Sequence, residues 1–271
     1  KRLVSTLYSE NLKNLLKDYS KEDIASSAQK HLENLLLTLF DKISKKYNTK
    51  DFNLSGGVFL NIVANKSLMQ RGYNIFAIPF CGDDGTSVGA AEYFLHKTKK
   101  IKSKLELNNL YFGDSFSNEE IEPILKKNKL LYKKSKNIEK DAARFLSNGK
   151  VIGWFQGRDE FGPRALGCRS ILANPTDKKY MDVVNKAIKY RESWRPFCPS
   201  MLDEVKEKYL INSREASFMN IAFEVPKKNI KEIPAVVHVD GTTRPQTIKR
   251  EQNEKYYKMI LEFKKITGIG V

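Results

Sequence analysis

The stretch from Gln156 to Ser170, Gln-Gly-Arg-Asp-Glu-Phe-Gly-Pro-Arg-Ala-Leu-Gly-Cys-Arg-Ser, constrains this chain more than any other. It follows Val151-Ile152-Gly153-Trp154-Phe155, an apolar, β-rich run that reads as a buried strand. Gly157, Gly162 and Gly167 let the backbone turn tightly and approach a neighbour closely, because they carry no Cβ. Between them stand Arg158, Arg164 and Arg169, always charged and shaped to grip phosphate or carboxylate with a two-pronged fork. A strand running into glycine turns with three guanidinium groups points to an anion site. The bland alternative is a solvated basic loop. The interleaved glycines, Pro163 and the aromatics argue against it.

Charge and size narrow the choices further. At 271 residues, with 41% apolar residues, 12 Tyr and 15 Phe, the chain is globular and long enough for two domains. No apolar run reaches the roughly 20 residues of a membrane helix. Without an initiator Met, Lys1 reads as the start of an excised fragment. Cys81, Cys168 and Cys198 are odd in number and lack CxxC spacing, which points to a reducing compartment, the cytoplasm, and to no zinc site. The net charge of +16 invites a nucleic-acid reading. Its distribution disfavours one: lysines are scattered, whereas five of the eleven arginines (158, 164, 169, 191 and 195) share one segment rich in Gly, Pro and aromatics.

Along the chain, Ser20 to Lys46 reads as a helix, with Ser20 and Asp23 as a capping pair. Its apolar residues Ile24, Ala28, Leu32, Leu35, Leu39 and Ile43 recur at core spacing. His31 beside that stripe reads as structural. A βαβ pattern follows: strand 52–54, a Ser55-Gly56-Gly57 turn, helix 58–70 closed by Gly72, and strand 73–80. The second strand runs into Cys81-Gly82-Asp83-Asp84-Gly85 and a small-residue helix. Both turns lie where a strand gives way to a helix, a place that favours phosphate. Residues 97–109 read as an interdomain linker. Then come helix 119–127, strand 130–133, helix 138–147, the strand at 151, a strand at 171–175 and helix 180–190. The apolar side of that last helix is Met181, Val184, Ala187 and Ile188. Pro196 and Pro199 hold Arg195 in a rigid extended segment. Strands at 218–225 and 235–239 lead to a glycine turn, His238-Val239-Asp240-Gly241-Thr242-Thr243-Arg244.

These motifs together resemble the bacterial O-carbamoyltransferases of the nodulation-protein and antibiotic-tailoring type. The resemblance runs through Leu54-Ser55-Gly56-Gly57-Val58-Phe59-Leu60-Asn61, Gly82-Asp83-Asp84-Gly85 and the arginine stretch. It continues through Lys189-Tyr190-Arg191-Glu192, Trp194-Arg195-Pro196-Phe197-Cys198-Pro199-Ser200 and His238 to Gln246, in the family's order. It implies an α/β fold in two parts. Residues 1–100 resemble the C-terminal part of an actin/sugar-kinase-like (ASKHA) ATPase domain. Residues 108–271 resemble an α/β YrdC-like domain with a twisted mixed sheet, truncated at its C-terminus. The implied reaction joins carbamoyl phosphate and ATP into carbamoyl-adenylate and passes the carbamoyl group to a hydroxyl of a small molecule or sugar. ATP with Mg2+, and Fe2+ or another divalent metal in the intact ATPase-like domain, are the implied cofactors.

Residue by residue, the resemblance gives Arg164, Lys189 and Arg244 the catalytic role, binding carbamoyl phosphate and the nucleotide phosphates. Arg158, Arg169, Arg191 and Arg195 are further substrate-binding candidates, with ion pairs to Asp159, Glu160 or Glu192 as the alternative for one or two. Asp240 contacts ligand or caps its own turn. Gly56, Gly57, Asn61 and Gly85 match nucleotide contacts, and Asp83 a metal-binding aspartate whose His partners this sequence lacks. An enzyme of tRNA threonylcarbamoylation and a basic nucleic-acid-binding protein are the rival readings; no membrane partner is expected.

Overall fold

The computed structural model describes residues 9–98 and 107–271. They form two compact units of mixed α/β structure, one of residues up to Asn53 with Ala64–Phe76, the other of Leu54–Val63 with Ala77–Val271. Most of the expected linker, residues 99–106, lies outside the described residues.

In the smaller unit, α1 (Glu10–Leu16) precedes α2 (Lys21–Tyr47), and Ser20 caps α2 by accepting from the Asp23 N–H. β1 (Asp51–Leu54) pairs with β2 (Asn74–Ala77), and α3 (Ile62–Gln70) lies between them along the chain. Asn74 N–H donates to Lys50 O and Ile78 N–H to Leu54 O, so the strands run parallel, as a βαβ unit requires. Phe40, Phe52 and Tyr73 form the aromatic centre, with ring centroids 4.8–5.9 Å apart. The stripe on α2 behaves differently from its periodicity. Only Phe40 is buried, while Leu35 stays 55% and Leu39 49% exposed. Helix periodicity shows which face is apolar, and burial needs a covering element that the described residues do not supply. The expected helix 58–70 is also interrupted. A 3₁₀ turn over Gly57–Leu60 gives way to α3, and the Asn61 carboxamide caps α3 by accepting from the Val63 N–H.

The larger unit is built around two helices that face each other, α6 (Ile138–Ser147) and α9 (Glu254–Thr267). On α9, Tyr256, Met259, Ile260 and Phe263 recur at i, i+3, i+4 and i+7, and all are buried against Ala142, Ala143 and Leu146 of α6. Each such side chain contributes about 1.5–3 kcal/mol by leaving water. Asn253 caps α9 and Gly268 ends it in the left-handed conformation. Three two-stranded sheets complete the unit. β3 (Ile152–Phe155) is antiparallel to β4 (Arg169–Leu172), with Trp154 opposite Ser170. β5 (Ser200–Leu202) is parallel to β8 (Gln246–Ile248), and β6 (Phe223–Glu224) antiparallel to β7 (Thr242–Thr243). The single twisted mixed sheet therefore does not form among the described residues; two-stranded pieces take its place.

Other departures are local. Residues 130–133 pair with no strand, and Leu131 is fully exposed. Strand 218–225 shrinks to β6, and 235–239 contains a 3₁₀ turn at Pro234–Val236. Only Trp154 of β3 is buried. Helix α4 begins at Gly85, earlier than expected, and runs to Thr98, and α5 (Asn118–Lys127) carries a full capping box between Ser117 and Glu120.

Candidate functional site

A cavity of about 400 Å3 opens in the larger unit. Leu146 of α6 with Met259, Ile260 and Phe263 of α9 form its apolar floor, so the core itself is one wall. Arg164, Lys189, Arg191 and Arg244 all line it, and no Asp or Glu does. Four cations around one cavity without a carboxylate is the charge pattern of a site for anions.

Arg164 is the most exposed to that imbalance. It is half-buried and makes no hydrogen bond or ion pair with the described residues. Burial lowers its pKa, and the like charge of Arg244 lowers it further, while Cys198 and Cys81 push the other way. A guanidinium still keeps its proton, so two cations share the cavity with no counter-charge between them. Arg244 lies just past β7 and donates Nε to the Cys198 sulfur at 2.9 Å, which aims its fork. Cys198 sits among the cavity's lining residues as well.

The loop that presents Arg164 is held by Glu160. One oxygen of this carboxylate accepts from the backbone N–H groups of Leu166, Cys168 and Arg169 at 2.7, 2.7 and 3.2 Å. The backbone N–H nest of this glycine-rich loop thus receives a carboxylate of the chain itself. Gly157, Gly162 and Gly167 all take positive φ. At Gly167 glycine is obligatory twice over, because φ is +99° and a Cβ would meet the Tyr256 ring at 2.2 Å. Trp154 Nε1 and Gln156 Nε2 both donate to the Gly167 carbonyl. Burial pushes the neighbouring Cys168 thiol up to about 12, with the Glu160 charge adding to the effect.

The remaining arginines divide by partner. Arg169 binds the Asp159 carboxylate at 2.6 Å, donates to the carbonyls of Gln156, Cys168 and Gly157, and stacks on Phe155 at 3.6 Å. Arg195 pairs with Glu192 at 2.8 Å. Arg158 donates to the Gly113 carbonyl. None of these three lines the cavity, and the ion pairs to Asp159 and Glu192 are the alternative that the acidic neighbours suggested. Asp240 accepts from the Thr242 N–H at 2.9 Å and hydroxyl at 2.7 Å, capping its own turn.

Lys189 and Arg191 reach the cavity from an irregular helix end. Helix α7 (Lys179–Val183) widens into a π turn over Val184–Ile188, and Lys189 N–H closes on Val184 O. The widening changes which face is buried: Val184 and Asn185 point inward, while Ala187 and Ile188, expected on the apolar side, are exposed. Such π insertions often accompany functional sites.

The glycine turns of the first half lie apart from this lining. Gly56, at φ +109°, donates its N–H to Cys81 O, and a Cβ at Gly56 or Gly57 would meet nothing within 4 Å. Gly85 is required by its own chain, since a Cβ there would lie 2.1 Å from Phe80 O. Asp83 is exposed, its carbonyl accepting from Thr86. The 82–85 turn nevertheless abuts the arginine loop: Phe80 and Phe161 rings meet at 5.3 Å, and a Cβ at Gly162 would come within 3.9 Å of Asp84 Oδ2.

Comparison with known proteins decides the relationship. The Carbamoyltransferase N-terminus family model matches residues 2–92 and the Carbamoyltransferase C-terminus model residues 143–271. This chain belongs to the carbamoyltransferase family. An uncharacterized protein of Methanocaldococcus jannaschii is 40% identical over 258 residues, covering 93% of this chain and 49% of that protein. Nodulation protein NolO of Bradyrhizobium diazoefficiens is 36% identical over 257 residues, covering 92% and 47%. Nodulation protein U of Rhizobium tropici is 30% identical over 266 residues, covering 94% and 43%. The chain therefore spans about half the length of the curated relatives it matches.

Cys198, which lines the cavity, and Glu160 and Asn185, which brace the loop and the helix end presenting its cations, had no such role from the sequence. Cys198 looked like a leftover thiol, and Glu160 only like a partner for arginine. Asn185 stood beside Val184 in what reads as an apolar helix stripe, and a polar residue in such a place is the signal that was available.

Proposed function

We propose that this carbamoyltransferase-family chain binds carbamoyl phosphate and ATP in the arginine-lined cavity. Water there cleaves carbamoyl phosphate to carbamate and phosphate, and the carbamate oxygen attacks the ATP α-phosphorus, giving carbamoyl-adenylate and pyrophosphate. Transfer of the carbamoyl group to a hydroxyl of a small-molecule or sugar acceptor then releases AMP. The observation that carries the reading is the pair Arg164 and Arg244: two half-buried guanidinium groups in one cavity, free of any carboxylate. Both substrates are anions, and a fixed cationic site offsets the repulsion of bringing them together. Lys189 supplies a compact charge for a nucleotide phosphate, and Arg191 a second fork. The apolar floor from α6 and α9 offers a surface for the flat base of a nucleotide.

On this reading the larger part is the YrdC-like domain, and residues 1–100 belong to the ASKHA-type ATPase domain, whose glycine turn at Gly56 and Gly57 leaves space open for a nucleotide. Mg2+ accompanies the ATP. A resident divalent metal at Asp83 does not fit the described residues, since no group of three His, Cys, Asp or Glu side chains comes together among them. No step is assigned to it.

The test is calorimetric titration of carbamoyl phosphate, with and without a non-hydrolysable ATP analogue, into the chain and its Arg164→Ala variant. Saturable binding that weakens about a hundredfold in the variant supports the reading. Equal binding by both proteins moves the anion site elsewhere, and no binding by the chain or by the full-length gene product overturns it.

A further inference from the structure

Asn185 is completely buried at the π turn, and every hydrogen-bonding group of its side chain is used. Its Nδ2 donates to the carbonyls of Ser193 at 3.1 Å and Arg195 at 2.9 Å. Its Oδ1 accepts from Arg191 Nε at 2.7 Å, and its own carbonyl accepts the Arg191 N–H at 3.1 Å. One carboxamide therefore ties the helix end to the whole of the following loop. Arg191 is fixed on a second side by Phe197, whose ring centroid lies 4.7 Å from the guanidinium carbon. With Nε engaged and one face stacked, the two terminal nitrogens of Arg191 remain for the cavity that it lines. The backbone between the two cationic residues is strained to match, since Tyr190 takes φ +46°, a left-handed conformation uncommon for a bulky residue. Its side chain is 86% exposed and packs on nothing that would demand this geometry. What the turn does is place Lys189 and Arg191, two residues apart, on the same cavity.

We infer that Asn185 is a positioning residue for anion binding: it holds the Lys189–Arg191 turn in its strained form and aims the Arg191 fork into the cavity. The inference rests on the reading of that cavity as a site for phosphate-bearing substrates.

The test is a double-mutant cycle with Asn185→Ala, Arg191→Ala and the double variant. Dissociation constants for carbamoyl phosphate and, separately, for inorganic phosphate are measured by calorimetry, alongside each protein's urea midpoint. Asn185→Ala is expected to weaken anion binding about tenfold, Arg191→Ala at least as much, and the double variant no more than Arg191→Ala alone. A merely structural asparagine would lower the urea midpoint and give losses that add. Additive losses, or full affinity in Asn185→Ala, overturn the inference. Should Asn185→Ala fail to fold, Asn185→Asp keeps the shape, loses both donors and sets a carboxylate against Arg191. It is expected to lose affinity at pH 7 and regain part of it relative to the parent as the carboxylate protonates below about pH 4; no loss at pH 7 overturns the inference. Binding of inorganic phosphate without carbamoyl phosphate would remove the substrate assignment and leave the role of Asn185 to be read from phosphate. If the parent chain binds neither anion, both readings fall.

Discussion

Three thiols show how much a residue's surroundings decide. Cys81 and Cys168 are buried, and desolvation raises both pKa values, that of Cys168 to about 12. Cys198 instead lines the cavity with Arg244 Nε at its sulfur. Iodoacetamide at neutral pH is expected to alkylate Cys198 first, with inorganic phosphate slowing the reaction, as peptide mass mapping over time would show; initial labelling at Cys81 or Cys168 would refute this. Gly167 makes a second test at the same scale. Gly167→Ala must adopt a positive φ and push into the Tyr256 ring, so urea denaturation is expected to show a loss of roughly 2–5 kcal/mol. The Gly, Arg and Pro pattern of residues 156–170 made a tightly turned, charged loop legible from sequence, and the positive φ of its three glycines agrees with it. Which arginine faces the cavity was not legible from residue chemistry alone; only the family resemblance put Arg164 ahead of Arg158 and Arg169. Arg158, Arg164 and Arg169 look alike in a string, and what separates them is a carbonyl at Gly113, a carboxylate at Asp159 and a ring at Phe155. Those partners are set by packing across many residues of chain.

At the scale of elements, α6 and α9 carry the stability of the larger unit. Phe263 of α9 is buried between them and also walls the cavity. Phe263→Ala is expected to cost about 3–5 kcal/mol by chemical denaturation and to enlarge the apolar floor of the cavity. Helix α5, whose residues are not buried, depends on its cap: Ser117→Ala is expected to cost about 1 kcal/mol of local stability, visible as faster amide exchange in its first turn and unchanged exchange in α9. Helices with caps and amphipathic periods, α2, α5 and α6, were readable to within a residue or two. Helix α9 went unread, although it carries the same signals: Asn253 before it, Gly268 after it and apolar residues at helical spacing. The strands were poorly legible. Strands of two to four residues hold too few alternations to register a period, and their partners lie far along the chain, as Gln246 does for Ser200. Residues 130–133 show the converse: Leu-Leu-Tyr has strand composition, yet no neighbouring strand offers a ladder.

For the molecule as a whole, acid is expected to weaken the fold in part through His238. Burial lowers its pKa below the usual value of about 6.5, and the Arg244 charge acts the same way against an opposing effect of Asp240. The unfolded chain therefore binds a proton that the folded chain refuses. Stability is full above about pH 6.5 and falls as the pH drops from there toward the lowered folded value. Urea midpoints between pH 7.5 and 5 should fall less steeply in His238→Asn than in the parent; equal slopes would remove His238 from the account. Along α2, Leu35 and Leu39 stand open to water on a chain carrying a net charge of +16. Like charges keep copies apart at low ionic strength, and added salt shrinks that repulsion to a range of about 10 Å at 0.1 M. In the test tube this chain should thus behave as a salt-sensitive colloid, dispersed in dilute buffer and sticky in brine. Light scattering across a sodium chloride series would reveal it, and replacing Leu35 and Leu39 by glutamine would make the preparation indifferent to salt.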